Sequence, residues 1–316
     1  MTCPDPDILA FYDAASAGDL ASMQSLYRGS PQPYDIWGIT PMHCAAVSGH
    51  LDVCQWLADK GFSIHARDFR LTTPVSNAAF SGNAALVIWF ARSGANIHSR
   101  NAEGHTPLGS AVDSGSVETC RALLDLGADP NGLCSALGFP LHEATAWGNE
   151  PLVDLLISRG ADLNQYNLYG FTPIHHAVWD RQASLVQKFL SLGVNANQPV
   201  AFDNNYCSGS TPLLLAAGSL DITSMKILLA AGADPRIHEN WPEVFQKALG
   251  NFVTRTSTHL TPEQEALADE IMDLVHSQAH RLDEEECLGR RDTLLKLADQ
   301  ERELSLGQPT APDRRM

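Results

Sequence analysis

Glu103, His105 and Asp113 fall close together in the chain, and a further acid, Asp180, follows. A carboxylate beside an imidazole is common equipment for moving protons, so a fold that gathered these groups would permit acid/base chemistry. Little else completes a catalytic or metal-binding pattern. His142-Glu143 does not open a zinc helix, because position 146 is alanine where the second histidine would stand. His175 and His176 are adjacent, so on a helix they project in different directions. The seven cysteines, at positions 3, 44, 54, 120, 134, 207 and 287, form no C-x-x-C pair. Nucleophile elbow, phosphate loop and dinucleotide fingerprint are absent from the sequence. The expectation is no metal, no cofactor and no hydrolytic nucleophile. If the chain is an enzyme, the candidates are Asp113, His105, Glu103 and Asp180.

The elements that must position these groups repeat. Thr-Pro, followed by a short apolar run, recurs as Thr40-Pro41, Thr73-Pro74, Thr106-Pro107, Thr172-Pro173 and Thr211-Pro212, with Phe139-Pro140 in the same series. The spacing is 33 residues four times and then 39. Twenty-one residues after each start comes a glycine: Gly61, Gly94, Gly127, Gly160, Gly193 and Gly232. Threonine caps a helix through its hydroxyl, and proline suits the first helical position. A short helix then stops at Gly49, Gly82, Gly115 or Gly148, since glycine takes the left-handed geometry of a helix end. A second helix follows with an apolar stripe such as Leu51, Val53, Trp56 and Leu57, and ends at the second glycine. Each unit buries little by itself and must stack on its neighbours.

This pattern resembles the ankyrin repeat family. The period carries the resemblance, with Thr172-Pro173-Ile174-His175-His176-Ala177 and Gly160-Ala161-Asp162-Leu163-Asn164. It implies an all-α repeat solenoid of helix–turn–helix units with β-hairpin loops, six repeats between N- and C-terminal helical caps. The expected boundaries are capping helices over 1–33, repeats over 34–237, a degenerate capping repeat over 238–280, and an acidic helix and tail over 281–316. Helices are expected at 262–279 and 283–304. His43, His142 and His175 fall at the family's structural histidine, which hydrogen-bonds a neighbouring hairpin. The chain departs from the pattern in places. Phe139 replaces a capping threonine, Arg181 and Leu220 stand at inter-helix glycine positions, and Leu71 stands at a hairpin glycine position. The link between Gly193 and Thr211 is six residues longer than its predecessors.

The resemblance implies a concave binding face lined by hairpin tips and by the ends of the first helices. In this register that face carries seven rings, Trp37, Phe69, Phe80, Trp147, Tyr169, Phe171 and Trp179, in a chain with only 7% aromatic residues. Surface aromatics gathered on one face mark a binding surface. Arg70, Glu103, His105, Asp113 and Asp180 are interspersed among them. The longer link adds Phe202 and Tyr206 on a finger expected to overhang the groove. Trp37, Phe69, Arg70, Phe80, Trp147, Tyr169, Phe171, Trp179, Phe202 and Tyr206 are therefore the expected ligand-binding set.

The net charge of −16 disfavours nucleic acid and anionic membranes, and residues 261–316 carry 14 acidic and 7 basic side chains. The acidic start lacks the basic segment of a signal peptide, no stretch is apolar enough to span a membrane, and the scattered thiols suit a reducing compartment. A cytoplasmic or nucleocytoplasmic protein is expected. Two functions fit. The preferred one is a scaffold or adaptor that binds a protein or peptide partner through the aromatic groove. The alternative is a stand-alone enzyme or binder of a small apolar molecule, catalysing cyclisation, isomerisation or hydration in the same groove.

Overall fold

A computed structural model of the chain describes residues 6–29, 37–134, 138–201, 209–237, 266 and 269–286. The chain divides into two compact units, Met1–Ser210 and Thr211–Met316. The first contains six helix pairs. They are α1 (Pro6–Ala17) with α2 (Leu20–Leu26), α3 (Pro41–Val47) with α4 (Leu51–Asp59), and α5 (Pro74–Phe80) with α6 (Ala84–Arg92). The series continues with α7 (Pro107–Asp113) and α8 (Val117–Asp125), α9 (Pro140–Ala146) and α10 (Glu150–Ser158), and α11 (Pro173–Trp179) and α12 (Ala183–Ser191). The odd-numbered helices pack in series from α1 to α11, and α6, α8 and α10 pack in a second row.

The punctuation acts as the sequence predicts. Thr40, Thr106 and Thr211 accept a hydrogen bond from the backbone three residues on, and proline occupies the first turn each time. Thr73 instead bonds to Ser76 and Ser99, and Phe139 supplies no cap. The second helices bury Leu57, Leu86, Phe90, Leu123, Leu152, Leu156 and Phe189 almost completely. Each such side chain contributes about 1.5–3 kcal/mol through removal from water. Histidines then tie one unit to the next. Nε2 of His43 lies 3.1 Å from the Thr72 carbonyl, that of His142 lies 3.0 Å from Phe171, and that of His175 lies 2.9 Å from Gln198.

Where β-hairpin loops were expected, the links between pairs are turns closed by single backbone bonds such as Asp68 N–H to Thr72 O, and no strand is present among the described residues. Asp68 Oδ1 accepts from the Arg70 and Thr72 amides, Asn101 Oδ1 from Glu103 and His105, and Asn167 Oδ1 from Tyr169 and Phe171. These side chains hold the turns from inside. Successive turns also bond to one another. The Phe69 amide donates to Trp37, the Ala102 amide to Arg70, and the Ala201 amide to Gly170. Leu71, Arg181 and Leu220 take the left-handed geometry of the glycines they replace, with φ of 61°, 56° and 55°.

The second unit holds α13 (Pro212–Gly218), α14 (Ile222–Ala230), a 3-10 turn at Pro235–Ile237, and helical backbone over 269–286. Lys226 pairs with Glu270, and Arg236 reaches Asp234, Asp283 and Glu286. The helical run passes through 280–282, where a break between two helices was expected. No glycine or proline interrupts it, and His280–Glu284 and Arg281–Glu285 pairs lie along it at helical spacing. The expected repeat and capping segments over 238–265 and 287–316 lie outside the described residues.

Candidate functional site

The short first helices bury their early residues and present their last ones. In α3 the residues Pro41, Met42, His43, Ala45 and Ala46 are buried, and Val47 is not. Equivalent terminal positions are Val47, Phe80, Asp113, Ala146 and Trp179, followed by Ser48, Ser81, Ser114, Trp147 and Asp180. Hairpin tips add Trp37, Phe69, Arg70, Glu103 and Tyr169. Six of the seven predicted rings are exposed here, from 47% for Trp179 to 69% for Trp147. Trp37 and Phe69 lie 5.2 Å apart, and the Arg70 guanidinium stands 5.6 Å from the Phe69 ring centre. Among the described residues Phe80, Trp147 and Tyr169 make no ring–ring contact.

Phe171 differs from the other rings. It is only 8% exposed, with its ring 5.6 Å from His176 and 6.0 Å from Trp179. It occupies the residue just before the helix cap, where the chain turns inward. Its ring fills the foot of the hairpin and supports Trp179. Phe202 and Tyr206 lie outside the described residues. The structure adds Val47, Leu71 and Leu168 to the exposed apolar set. Val47 and Leu168 share the register of the predicted residues, so the same frame reaches them. Leu71 carried no signal beyond its place at a glycine position.

The charged candidates separate into two pairs. Glu103 pairs with Arg70, at 3.3 Å. His105 Nδ1 and Asp113 Oδ2 are 4.0 Å apart, which is ion-pair range and too long for a hydrogen bond. Burial pushes the Asp113 carboxyl above its ordinary pKa, and His105 opposes that shift. Burial alone raises Asp180. Cys120 is pushed up to about 12 by burial and by the Asp113 charge, so it is held as a thiol. Three carboxylates, one of them engaged by Arg70, and one imidazole thus stand among exposed rings.

Behind this face lie His142, His175 and His176, each held down at about 4, chiefly by burial, and neutral at pH 7. Nδ1 of His43 and of His175 meets a capping threonine hydroxyl, at 2.9 and 2.8 Å. Phe139 has no hydroxyl, and His142 Nδ1 is buried without a hydrogen-bond partner.

A family model described as ankyrin repeats in three copies matches residues 10–101, 68–134 and 141–239. The crystal structure of the human ASB11 ankyrin repeat domain is similar at 23% identity and a TM-score of 0.58, over 68% of this chain and 98% of that one. The crystal structure of the ankyrin repeat domain of Bcl-3, described as a unique member of the IkappaB protein family, matches at 24% identity and a TM-score of 0.58, over 72% of this chain and 99% of that one. At these identities the likeness concerns the fold. No curated protein matches the chain.

Proposed function

We propose a protein-recognition role for this chain, which belongs to the ankyrin repeat family: it binds a protein or peptide partner through the aromatic face of its first unit. Ankyrin repeat domains are typically protein-interaction modules. The observation that carries the reading for this chain is the exposure of Trp37, Phe69, Phe80, Trp147, Tyr169 and Trp179 at register-equivalent positions. Leaving six large rings half in water forgoes burial energy that a partner surface would recover.

The enzymatic alternative has one observation in its favour, the His105–Asp113 pair with its raised carboxyl. A site that turns over a small apolar molecule encloses most of it. Rings exposed to this degree fit a flat interface better. The acidic chain favours a partner other than nucleic acid, and the free thiols favour a cytoplasmic setting.

The test compares the wild type with Phe80→Ala and Trp147→Ala in affinity capture from an extract of the source cells. Leu126→Ala serves as an exposed control outside the face. Melting temperatures establish that each variant folds. The reading requires proteins that are retained by the wild type and by Leu126→Ala, and lost by the other two, because anchors of this kind typically cost about 2 kcal/mol or more when truncated. Equal retention by all four chains refutes it.

A further inference from the structure

Along the series of first helices, the terminal position reads Val47, Phe80, Asp113, Ala146 and Trp179, with Trp147 one residue beyond Ala146. Asp113 is thus a single carboxylate set between apolar neighbours, and its side chain is partly buried, at 30% exposure. Among the described residues no hydrogen-bond donor reaches it, and its closest base, His105, stands off at 4.0 Å. Asp180, beside Trp179, has no side-chain partner among the described residues either. Arg70 is engaged by Glu103. A carboxylate that no protein donor engages, set between apolar side chains, is open to a cation brought in by a partner, which would pair with it by charge-assisted hydrogen bonds.

Resting on the recognition reading above, we propose that the partner is an extended peptide segment with a lysine or arginine between two apolar side chains. The cation meets Asp113, and the apolar side chains meet Phe80 on one side and Trp147 on the other. Packed helices are about 8–10 Å apart. An extended chain advances about 3.3 Å per residue, so the cation falls about three residues from each apolar anchor. Charge complementarity fixes the sign of the central residue. The spacing of the helices fixes its place.

The experiment uses the full chain as bait for a displayed library of random dodecapeptides. The most frequent selected peptide is then synthesised and titrated by fluorescence anisotropy. The proteins titrated are the wild type, Trp147→Ala and Asp113→Asn, each shown to be folded by its melting curve. The selected peptides are expected to carry a central lysine or arginine flanked by apolar residues at that spacing. Binding is expected to weaken tenfold or more in each variant, and the loss in Asp113→Asn is expected to shrink at high salt. Peptides that need Trp147 but lack the cation, or that bind Asp113→Asn as tightly as the wild type, overturn this inference and leave the recognition reading standing. Peptides indifferent to both substitutions overturn both. A library without enrichment overturns the inference, and self-association of the chain that Trp147→Ala abolishes would assign the face to a second copy.

Discussion

His142 shows how one substitution propagates through a repeat. Phe139 removes a hydroxyl that serves both the helix start and the imidazole, and both losses are visible: α9 has no side-chain cap and His142 Nδ1 has no partner. Phe139→Thr should restore both bonds and raise stability by about 1 kcal/mol, read as a higher urea midpoint. An unchanged or lower midpoint would mean that the Phe139 ring packing against His142 outweighs the cap. The buried imidazoles also set a pH dependence. His142, His175 and His176 titrate at about 4 in the fold, against an ordinary 6.5. The unfolded chain therefore binds more protons between those values. The contribution of these histidines is fully present well above pH 6.5 and falls as the pH drops towards 4, by on the order of 3 kcal/mol per histidine at most. Urea midpoints at pH 7.5 and 5 measure this, and His176→Gln should reduce the difference. Equal midpoints at the two pH values would contradict it. The departure at Phe139 was legible in the sequence, but the burial of Phe171 was missed. Its counterparts just before each cap, Ile39, Thr72, His105 and Gly138, are all partly or fully buried. Position within the hairpin decides exposure, and residue type conceals it.

The helices were legible because their starts and stops rest on residues with few substitutes. Proline and threonine open a helix and glycine closes it by local backbone chemistry, independent of tertiary context. The C-terminal helix was less legible. A polar stretch without breakers gives no stop signal, so the expected gap near residue 280 does not occur and the helix runs over 269–286. Leu71 is informative at this scale. The corresponding residues of neighbouring hairpins are Gly38, Gly104 and Gly170, with φ between 73° and 86°, whereas Leu71 is held at 61° with its side chain exposed. Leu71→Gly should relieve strain and stabilise the fold by about 1 kcal/mol. If the exposed leucine belongs to the recognition face, the same change weakens partner capture. A gain in stability with undiminished capture would leave the leucine without a binding role.

The molecule comprises two compact units, and the proposed recognition face belongs to the first. Its logic is cumulative. The repeats contribute side chains at the same two places, the hairpin tip and the end of the first helix, and stacking α3, α5, α7, α9 and α11 in series sets these places in a line. The register made that line readable from sequence. The pairing within it was not readable, because Arg70–Glu103 and His105–Asp113 arise between side chains whose choice of partner depends on the packing of neighbouring hairpins. Exposed apolar residues also occur elsewhere, at Leu126 and Leu192 where α8 and α12 end. They provide the contrast for the most direct measurement, site-specific photo-crosslinking with a benzophenone amino acid placed singly at Phe80, Trp147, Leu126 and Leu192 in an extract of the source cells. Recognition through the hairpin face predicts one shared crosslinked species from Phe80 and Trp147 and none from Leu126 or Leu192. The same species from Leu126 and Leu192, with none from Phe80 and Trp147, would contradict it.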